Sequence, residues 1–291
     1  MASEEEHGST PETGATVNLS EQETREADRR AGLRAAVVFE SVRRSGESEL
    51  ARPPVALAFS GLASGLSMTL SLLVTGMIRA RLPDAPWSPL IYNVGYTVGF
   101  LATILGRQQL FTENTVTAVI PVLDDWSDRK KWVAVARLWV VVLIANLIGA
   151  GLLTFALAHT DVFAPQVKQT FLLIGTEAIT ASPLTLFLKA LIAGWLIALM
   201  VWLLPAAGDS ARMLVIIIVT YIVGLGQLAH VVAGSAEVFY AVASGSVTWS
   251  HYLAGFLLPV FLGNSLGGVI LVSLLNYGQV AVSSDEEQPS S

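Results

Sequence analysis

Six long runs of the chain carry no charged residue: Pro53–Ile78, Ala85–Gly106, Leu138–Ala158, Ala190–Gly208, Met213–Ala229 and Tyr252–Ser284. Each is near or above the ~20 residues that a helix needs to cross the hydrocarbon of a bilayer. The pattern predicts six membrane-spanning helices. The second and fifth runs do not end cleanly. After the apolar stretch that begins at Val94 comes the polar string Arg107-Gln108-Gln109-Leu110-Phe111-Thr112-Glu113-Asn114-Thr115, and then a second apolar run, Val116–Leu123. In the fifth, Gly224-Leu225-Gly226-Gln227 precedes His230, and Ala233-Gly234-Ser235-Ala236-Glu237 precedes Val238–Val242. Both read as broken helices. Lipid cannot solvate free amides, so irregular backbone at membrane depth must be buried in protein or line a wet cavity. The two breaks are therefore expected to face each other.

The breaks also belong to a repeat. Gln109, Leu110, Thr112, Asn146 and Gly149 recur as Gln227, Leu228, His230, Asn264 and Gly267, each displaced by 118 residues. Polar interruptions at matching depth in duplicated membrane modules mark the midplane, where solutes are handled. An isolated intramembrane histidine is costly unless bonded. A helix carbonyl could satisfy His230, but its pairing with Thr112 in the repeat points to a pathway instead. Neutral, it can donate to Thr112 or to a passing oxygen; protonated, it would attract an anion or release a proton. Arg107 and Glu113 flank the first break, and an ion pair between them would remove a penalty of several kcal/mol for either charge alone. Glu237 has Arg212 or water as its expected partner. Lys189 is expected to snorkel from the head of the fourth span. Small residues at helical spacing, Gly61 with Gly65, Ala145 with Gly149, and Gly263 with Gly267, predict close helix packing, with Asn146 and Asn264 as hydrogen-bonding contacts between helices.

Composition agrees with this picture: 53% of 291 residues are hydrophobic and 14% are charged, too apolar for an ordinary soluble domain. The absence of cysteine excludes disulfides, iron–sulfur clusters and thiol chemistry. Basic residues set the orientation. Seven arginines lie in residues 25–52, four basic residues in 129–137, and Arg212 lies between the fourth and fifth runs, against Arg79, Arg81 and Lys168 on the opposite side. The positive-inside rule places both termini in the cytoplasm. Residues 1–18 read as a disordered tail, without the apolar core of a signal peptide. Ser20 and Glu23 form a capping-box pattern that opens a charged helix to about Arg44, expected to be solvated although Val37, Val38, Phe39 and Val42 offer an apolar stripe. The expected domains are a cytoplasmic extension over 1–50, a six-helix transmembrane domain over 51–278, and a cytoplasmic tail over 279–291 whose acidic end frays.

Leu110-Phe111-Thr112 in the second span, lone His230 in a broken fifth span and Gly263-Asn264-Ser265-Leu266-Gly267-Gly268 in the sixth resemble the formate/nitrite transporter family. The likeness runs from about Ala51 to Asn276. With its charged extension and the Arg107–Asn114 string, the chain most resembles the YfdC-type subgroup of bacterial inner-membrane proteins. The resemblance implies an all-α, aquaporin-like protomer of two inverted three-helix repeats with broken second and fifth helices, assembled as a homopentamer with a pore in each protomer. It implies Thr112 and His230 at the pore centre, and apolar constrictions at Tyr96, Phe100, Leu110, Val201 and Val223. Asn264 occupies the family's asparagine position in the sixth span.

The departures concern charge. Ser182 stands where formate channels carry a basic residue before the fourth span, with Lys189 two turns later. Arg107 replaces a small residue five before the threonine, Glu113 follows the threonine, and Ala233-Gly234-Ser235 replaces an asparagine-containing stretch. Polar candidates for the pore or its vestibules are therefore Arg107, Glu113, Asn114, Ser182, Lys189, Glu237 and Asn264.

The function expected is a passive or proton-coupled pathway for a small monovalent weak-acid anion, formate- or nitrite-like; a bare anion cannot cheaply cross a dry constriction, and crossing as the neutral acid would remove most of that penalty. The alternatives are a neutral-solute channel and a non-conducting protein acting through a cytoplasmic partner. Aquaporins proper are disfavoured, because Asn-Pro-Ala does not occur at the breaks. The partners expected are the bilayer and a small anion or weak acid; no cofactor or metal is implied. An enzyme is not expected: His7, His159, His230 and His251 are scattered, and no phosphate-cradling loop or nucleophile–base pair is present. Nucleic acid is not indicated, since the basic extension is interleaved with Glu and Asp.

Overall fold

A computed structural model of the chain describes residues 20, 35–123, 125–270, 275, 277 and 278. It divides into residues 1–34, of which Ser20 alone is described, and residues 35–291, whose architecture follows. The expected tail over 1–18, Glu23 of the capping box and the 279–291 tail lie outside the described residues.

Every described element is helical. A helix at Ala35–Leu50 (α1) leads to Pro54–Arg79 (α2), then to Ser88–Tyr92 (α3), which runs through a 3-10 turn into Thr97–Leu105 (α4). After the first break come Phe111–Thr117 (α5), Ile120–Leu123 (α6) and Arg129–His159 (α7). The second half repeats the order with Pro165–Glu177 (α8), Pro183–Leu203 (α9), Asp209–Leu225 (α10) and, after the second break, Val231–Ala243 (α11). Trp249–His251 (α12) continues through a π turn into Leu258–Gly268 (α13). Pro259 lies just beyond that turn and has no amide hydrogen to donate to the ladder. Among the described residues, four helical stretches are long and apolar enough to cross a membrane: Pro54–Arg79, Ser88–Leu105, Arg129–His159 and Pro183–Leu203. Of the other two expected spans, α10 has 17 residues, and the last is divided at the π turn.

Chain chemistry sets the helix starts. Proline occupies the first turn of α2, α8 and α9, where an amide would be unpaired in any case. Asp128 accepts the Lys130 amide at 2.8 Å to open α7, and Ser182 accepts the Thr185 amide at 3.2 Å to open α9.

Two tight helix pairs form the frame, α2 with α7 and α9 with α13. A Cβ on Gly65 would overlap the Asn146 carbonyl oxygen, and one on Gly267 would overlap the Leu191 carbonyl oxygen. Only glycine allows the backbones to approach so closely. Exposed apolar side chains, Phe59, Val133, Leu152 and Leu184 among them, cover the outside, as a lipid-facing surface requires.

The charged N-terminal helix is not the solvated rod expected. Val38, Phe39 and Val42 are buried against Val116, Ile120, Val201 and Trp202, while Val37 stays exposed. Glu49 accepts a hydrogen bond from Thr117 Oγ1 at 2.6 Å, and Arg137 donates to the Leu50 carbonyl at 2.6 Å. The polar side of α1 carries ion pairs of its own: Glu40 pairs with Arg43 at 2.7 Å and with Arg44 at 2.6 Å, and these guanidiniums hold its carboxyl down at about 2.

Candidate functional site

The two breaks are built alike. After α4, the Gln108 amide reaches back to the Thr103 carbonyl at 3.0 Å, with Arg107 in the left-handed region at φ 50°. After α10, the Leu228 amide reaches the Val223 carbonyl at 3.0 Å, with Gln227 at φ 46°. Each is a Schellman-type stop in which a residue with a Cβ takes the place that glycine would fill most cheaply. The chain then extends briefly and re-enters a helix. Leu110 precedes α5 at φ −110°, ψ 127°, and His230 precedes α11 at φ −115°, ψ 128°.

The extended segments are held by the two asparagines. Asn146 Oδ1 accepts the Phe111 amide at 3.0 Å, and its Nδ2 donates to the carbonyls of Gln109 at 2.9 Å and Gly61 at 2.8 Å. Asn264 Oδ1 accepts the Val231 amide at 2.8 Å, and its Nδ2 donates to the carbonyls of Ala229 at 3.0 Å and Ala190 at 2.7 Å. These residues therefore join helices, as expected, and also satisfy the backbone of each break. The same bonds correct the repeat register. At the breaks, the residue equivalent to His230 is Leu110, a displacement of 120, because 35 residues separate Phe111 from Asn146 but 33 separate Val231 from Asn264. Thr112 is thus not the counterpart of His230. It lies two residues farther on, in the first turn of α5.

That offset brings the two side chains together. Thr112 Oγ1 and His230 Nε2 are 2.8 Å apart, with exposures of 0% and 1%. His230 Nδ1 accepts the amides of Val232 at 3.3 Å and Ala233 at 3.2 Å. A nitrogen that accepts two amides carries no proton, so the hydrogen is on Nε2 and Nε2 donates to Thr112. The pair leaves the threonine hydroxyl hydrogen available to another acceptor. Phe100 packs its ring edge-on to the His230 ring, centroids 5.0 Å apart, and Leu110 is fully buried.

A cavity opens on either side of this pair. The first includes Tyr96, Val223, Lys189, Glu237 and His230 in its wall. The second includes Val201, Arg107, Gln109, Glu113 and Arg212. Of the apolar positions expected, Tyr96 and Val223 thus face the first cavity and Val201 the second, while Phe100 and Leu110 lie in neither wall. Ser182 is in neither wall; it is exposed and caps α9. Lys189 faces the first cavity in its stead. Asn114 is buried, donating to Gln109 Oε1 at 3.0 Å and accepting Trp139 Nε1 on its carbonyl at 3.0 Å.

The expected Arg107–Glu113 ion pair does not form, and of the two partners expected for Glu237, Arg212 or water, Arg212 is not one. Arg107 is exposed, and no described residue bonds the buried Glu113 Oε1. Arg212 faces the second cavity and pairs with Asp209 at 3.3 Å, whereas Glu237 faces the first. The sequence reading missed three further residues. Arg79 forms a two-pronged pair with Glu177, at 2.6 and 2.9 Å, in the wall of the first cavity, and its guanidinium lies 5.2 Å from the centre of the Tyr92 ring. Glu49 of α1 enters the wall of the second. Arg79 was legible only as the charge ending an apolar run, and nothing in the sequence marks the other two.

Residues 36–278 match the family model described as formate/nitrite transporter. The chain is 42% identical over 247 residues to the "Inner membrane protein YfdC" of Escherichia coli (strain K12), covering 85% of this chain and 79% of that protein. It is 28% identical over 237 residues to the "Probable formate transporter" of Methanothermobacter thermautotrophicus, covering 75% and 82%. Two solved structures share the fold: an "FNT family ion channel", TM-score 0.72 at 18% identity, covering 84% of this chain and 99% of that one, and a "Pentameric formate channel with formate bound", TM-score 0.68 at 19% identity, covering 79% and 98%. With most of its length matched by the family model and by a relative of this identity, the chain belongs to the formate/nitrite transporter family, in its YfdC-type subgroup.

Proposed function

We propose that this protein is a membrane channel for a small monovalent weak-acid anion of the formate or nitrite kind, carried across its dry centre as the neutral acid. The observation that carries the reading is the buried Thr112–His230 pair, 2.8 Å apart, with a cavity on either side. A bare anion loses its hydration at such a centre and meets no compensating charge, whereas a neutral acid loses far less. His230 holds Thr112 by Nε2–H, and the hydroxyl can then donate to the oxygen of a passing acid. Phe100 and Leu110, apolar and fully buried, exclude water beside it.

The architecture proposed with this function is an aquaporin-like protomer of six spans in two inverted repeats, with broken second and fifth helices, assembled as a homopentamer in the bacterial inner membrane. The solved pentameric relative and the inner-membrane relative support it. Both termini are cytoplasmic by the distribution of basic residues, which puts the second cavity, walled partly by α1, on the cytoplasmic side. The extension over 1–50, the channel domain over 51–278 and the tail over 279–291 are the domains of this reading.

Uptake into proteoliposomes tests it, comparing formate, nitrite, hydrosulfide, acetate and a neutral solute at two outside pH values. Weak-acid uptake is expected to rise as outside pH falls and to change in the His230→Asn variant. Uptake of the neutral solute alone, or anion currents indifferent to pH, would sink the reading.

A further inference from the structure

Each cavity contains one carboxylate without a partner among the described residues, and the two stand on opposite sides of the Thr112–His230 pair. Glu237 faces the first cavity and takes no hydrogen bond or ion pair from any described residue. It lies seven residues after His230 on α11, two helical turns on and hence on the same face. Gly234 lies between them on that face and adds no side chain. Glu113 faces the second cavity, directly follows Thr112, and has its buried Oε1 unbonded. A carboxyl group at membrane depth normally finds a partner, because leaving one bare is costly; in Glu113 the bare Oε1 is buried, and in Glu237 the half-buried carboxyl is open to the first cavity. Two that do not, one at each end of a dry barrier, are placed to exchange protons with whatever crosses it.

The histidine between them is not so placed. Its Nδ1 is occupied by two amides and its Nε2–H by Thr112, so giving or taking a proton would break the bonds that hold it.

We propose that Glu237 and Glu113 are the proton-exchanging residues of this channel, one for each vestibule. The inference rests on the weak-acid reading above and assigns its proton to residues. An anion entering the first cavity takes the carboxyl proton of Glu237: the O–H bond of the glutamic acid breaks, an O–H bond forms on the anion, and Glu237 is left ionised. The neutral acid passes Thr112 and Phe100. In the second cavity the acid O–H bond breaks and the proton passes to ionised Glu113, freeing the anion. Water at each mouth restores the two groups, so one proton crosses with each anion. The same steps run in reverse.

The surrounding charges suit this exchange. Around Glu237 stand Arg79 paired with Glu177, Lys189, His230 and the phenols of Tyr92 and Tyr96. Lys189 has no bonded partner among the described residues and is free to hold the incoming anion. Around Glu113 stand Glu49, Arg52, Arg107 and Arg212; among the described residues neither Arg52 nor Arg107 has a salt-bridge partner, and Arg107 can receive the anion released.

The experiment is formate flux in proteoliposomes containing the wild type, Glu237→Gln, Glu113→Gln and the two aspartate variants, with internal pH recorded by a trapped dye. Glutamine keeps the size and removes the exchangeable proton. Each glutamine variant is expected to slow flux at neutral pH by roughly a hundredfold or more, the scale of a lost general acid. The deficit should shrink as the entry-side pH is lowered, because undissociated acid then brings its own proton. Glu237→Asp and Glu113→Asp should keep the wild-type pH profile, and they carry the test if a glutamine variant does not assemble. A merely structural role would lower flux equally at every pH. Glutamine variants with the wild-type rate and pH profile, or aspartate variants whose profile is lost, would overturn the assignment while leaving the channel standing. A wild type that carries no weak acid would overturn the functional reading itself, and this inference with it.

Discussion

Replacing Asn264 by alanine removes three hydrogen bonds at once from a side chain with no solvent exposure. The Ala190 carbonyl belongs to a helix and keeps its helical partner, so its loss is small. The Val231 amide, at the open start of α11, and the Ala229 carbonyl, in the extended segment, have no other partner. Two orphaned groups at about 1–3 kcal/mol each give about 2–6 kcal/mol. Hydrogen bonds between membrane helices measure toward the low end of such ranges, which puts the expected loss at about 2–3 kcal/mol. Unfolding by sodium dodecyl sulfate in mixed micelles reads it as a shift of the midpoint to lower detergent fraction. Asn146→Ala, which breaks the matching bonds of the first half, should shift it by a similar amount. Asn264→Asp keeps the acceptor for Val231 but turns a carboxylate oxygen on the Ala229 and Ala190 carbonyls in a site without solvent, and should lose at least as much as alanine. A change below about 0.5 kcal/mol for both alanine variants, the level of ordinary surface substitutions, would refute the argument that these side chains hold the breaks.

Other perturbations test the frame and α1. Gly65→Val would drive a side chain into the Asn146 carbonyl and should abolish recovery of folded protein in size-exclusion chromatography, whereas Gly208→Val, with open space around it, should be tolerated; equal recovery of both would contradict the close packing of α2 on α7. Val42→Asp buries a charge among Val116, Ile120 and Val201 at a cost of about 2 kcal/mol or more. It should release α1 and speed tryptic cleavage at Arg43 and Arg44, and unchanged cleavage would mean that α1 is not held by this patch. Burial raises the Glu49 carboxyl above its ordinary value. The neutral form is then favoured in the docked helix, so docking is tightest at pH below the unfolded value and weakens as pH rises through the docked one. Hydrogen-exchange protection of α1 should accordingly be higher at pH 5 than at pH 8 in the wild type and level in Glu49→Gln, and a level wild type would refute it.

Charge-free runs, the two polar interruptions and the Asn146/Asn264 repeat were legible because they follow from solvation. A membrane span must be apolar, and a break within it must be polar and accompanied by something to bond its amides. Sequence therefore located α2, α7 and α9, the two breaks and the residues that secure them. It did not fix which residues meet. The repeat read at 118 residues made Thr112 and His230 equivalents, when they meet because the breaks register at 120 and the threonine sits two residues past the turn. Pairings of charge failed in the same way. Arg107 and Glu113 are close along the chain, but one is exposed and the other turns inward; Arg79 and Glu177 are 98 residues apart and form a two-pronged bond. Long-range charge and hydrogen-bond pairs depend on how helices rotate about their own axes, and that rotation is set by backbone contacts such as those at Gly65 and Gly267. The apolar stripe of α1 was visible in sequence, but only the presence of Val201 and Trp202 opposite it determined that the helix packs against the channel wall.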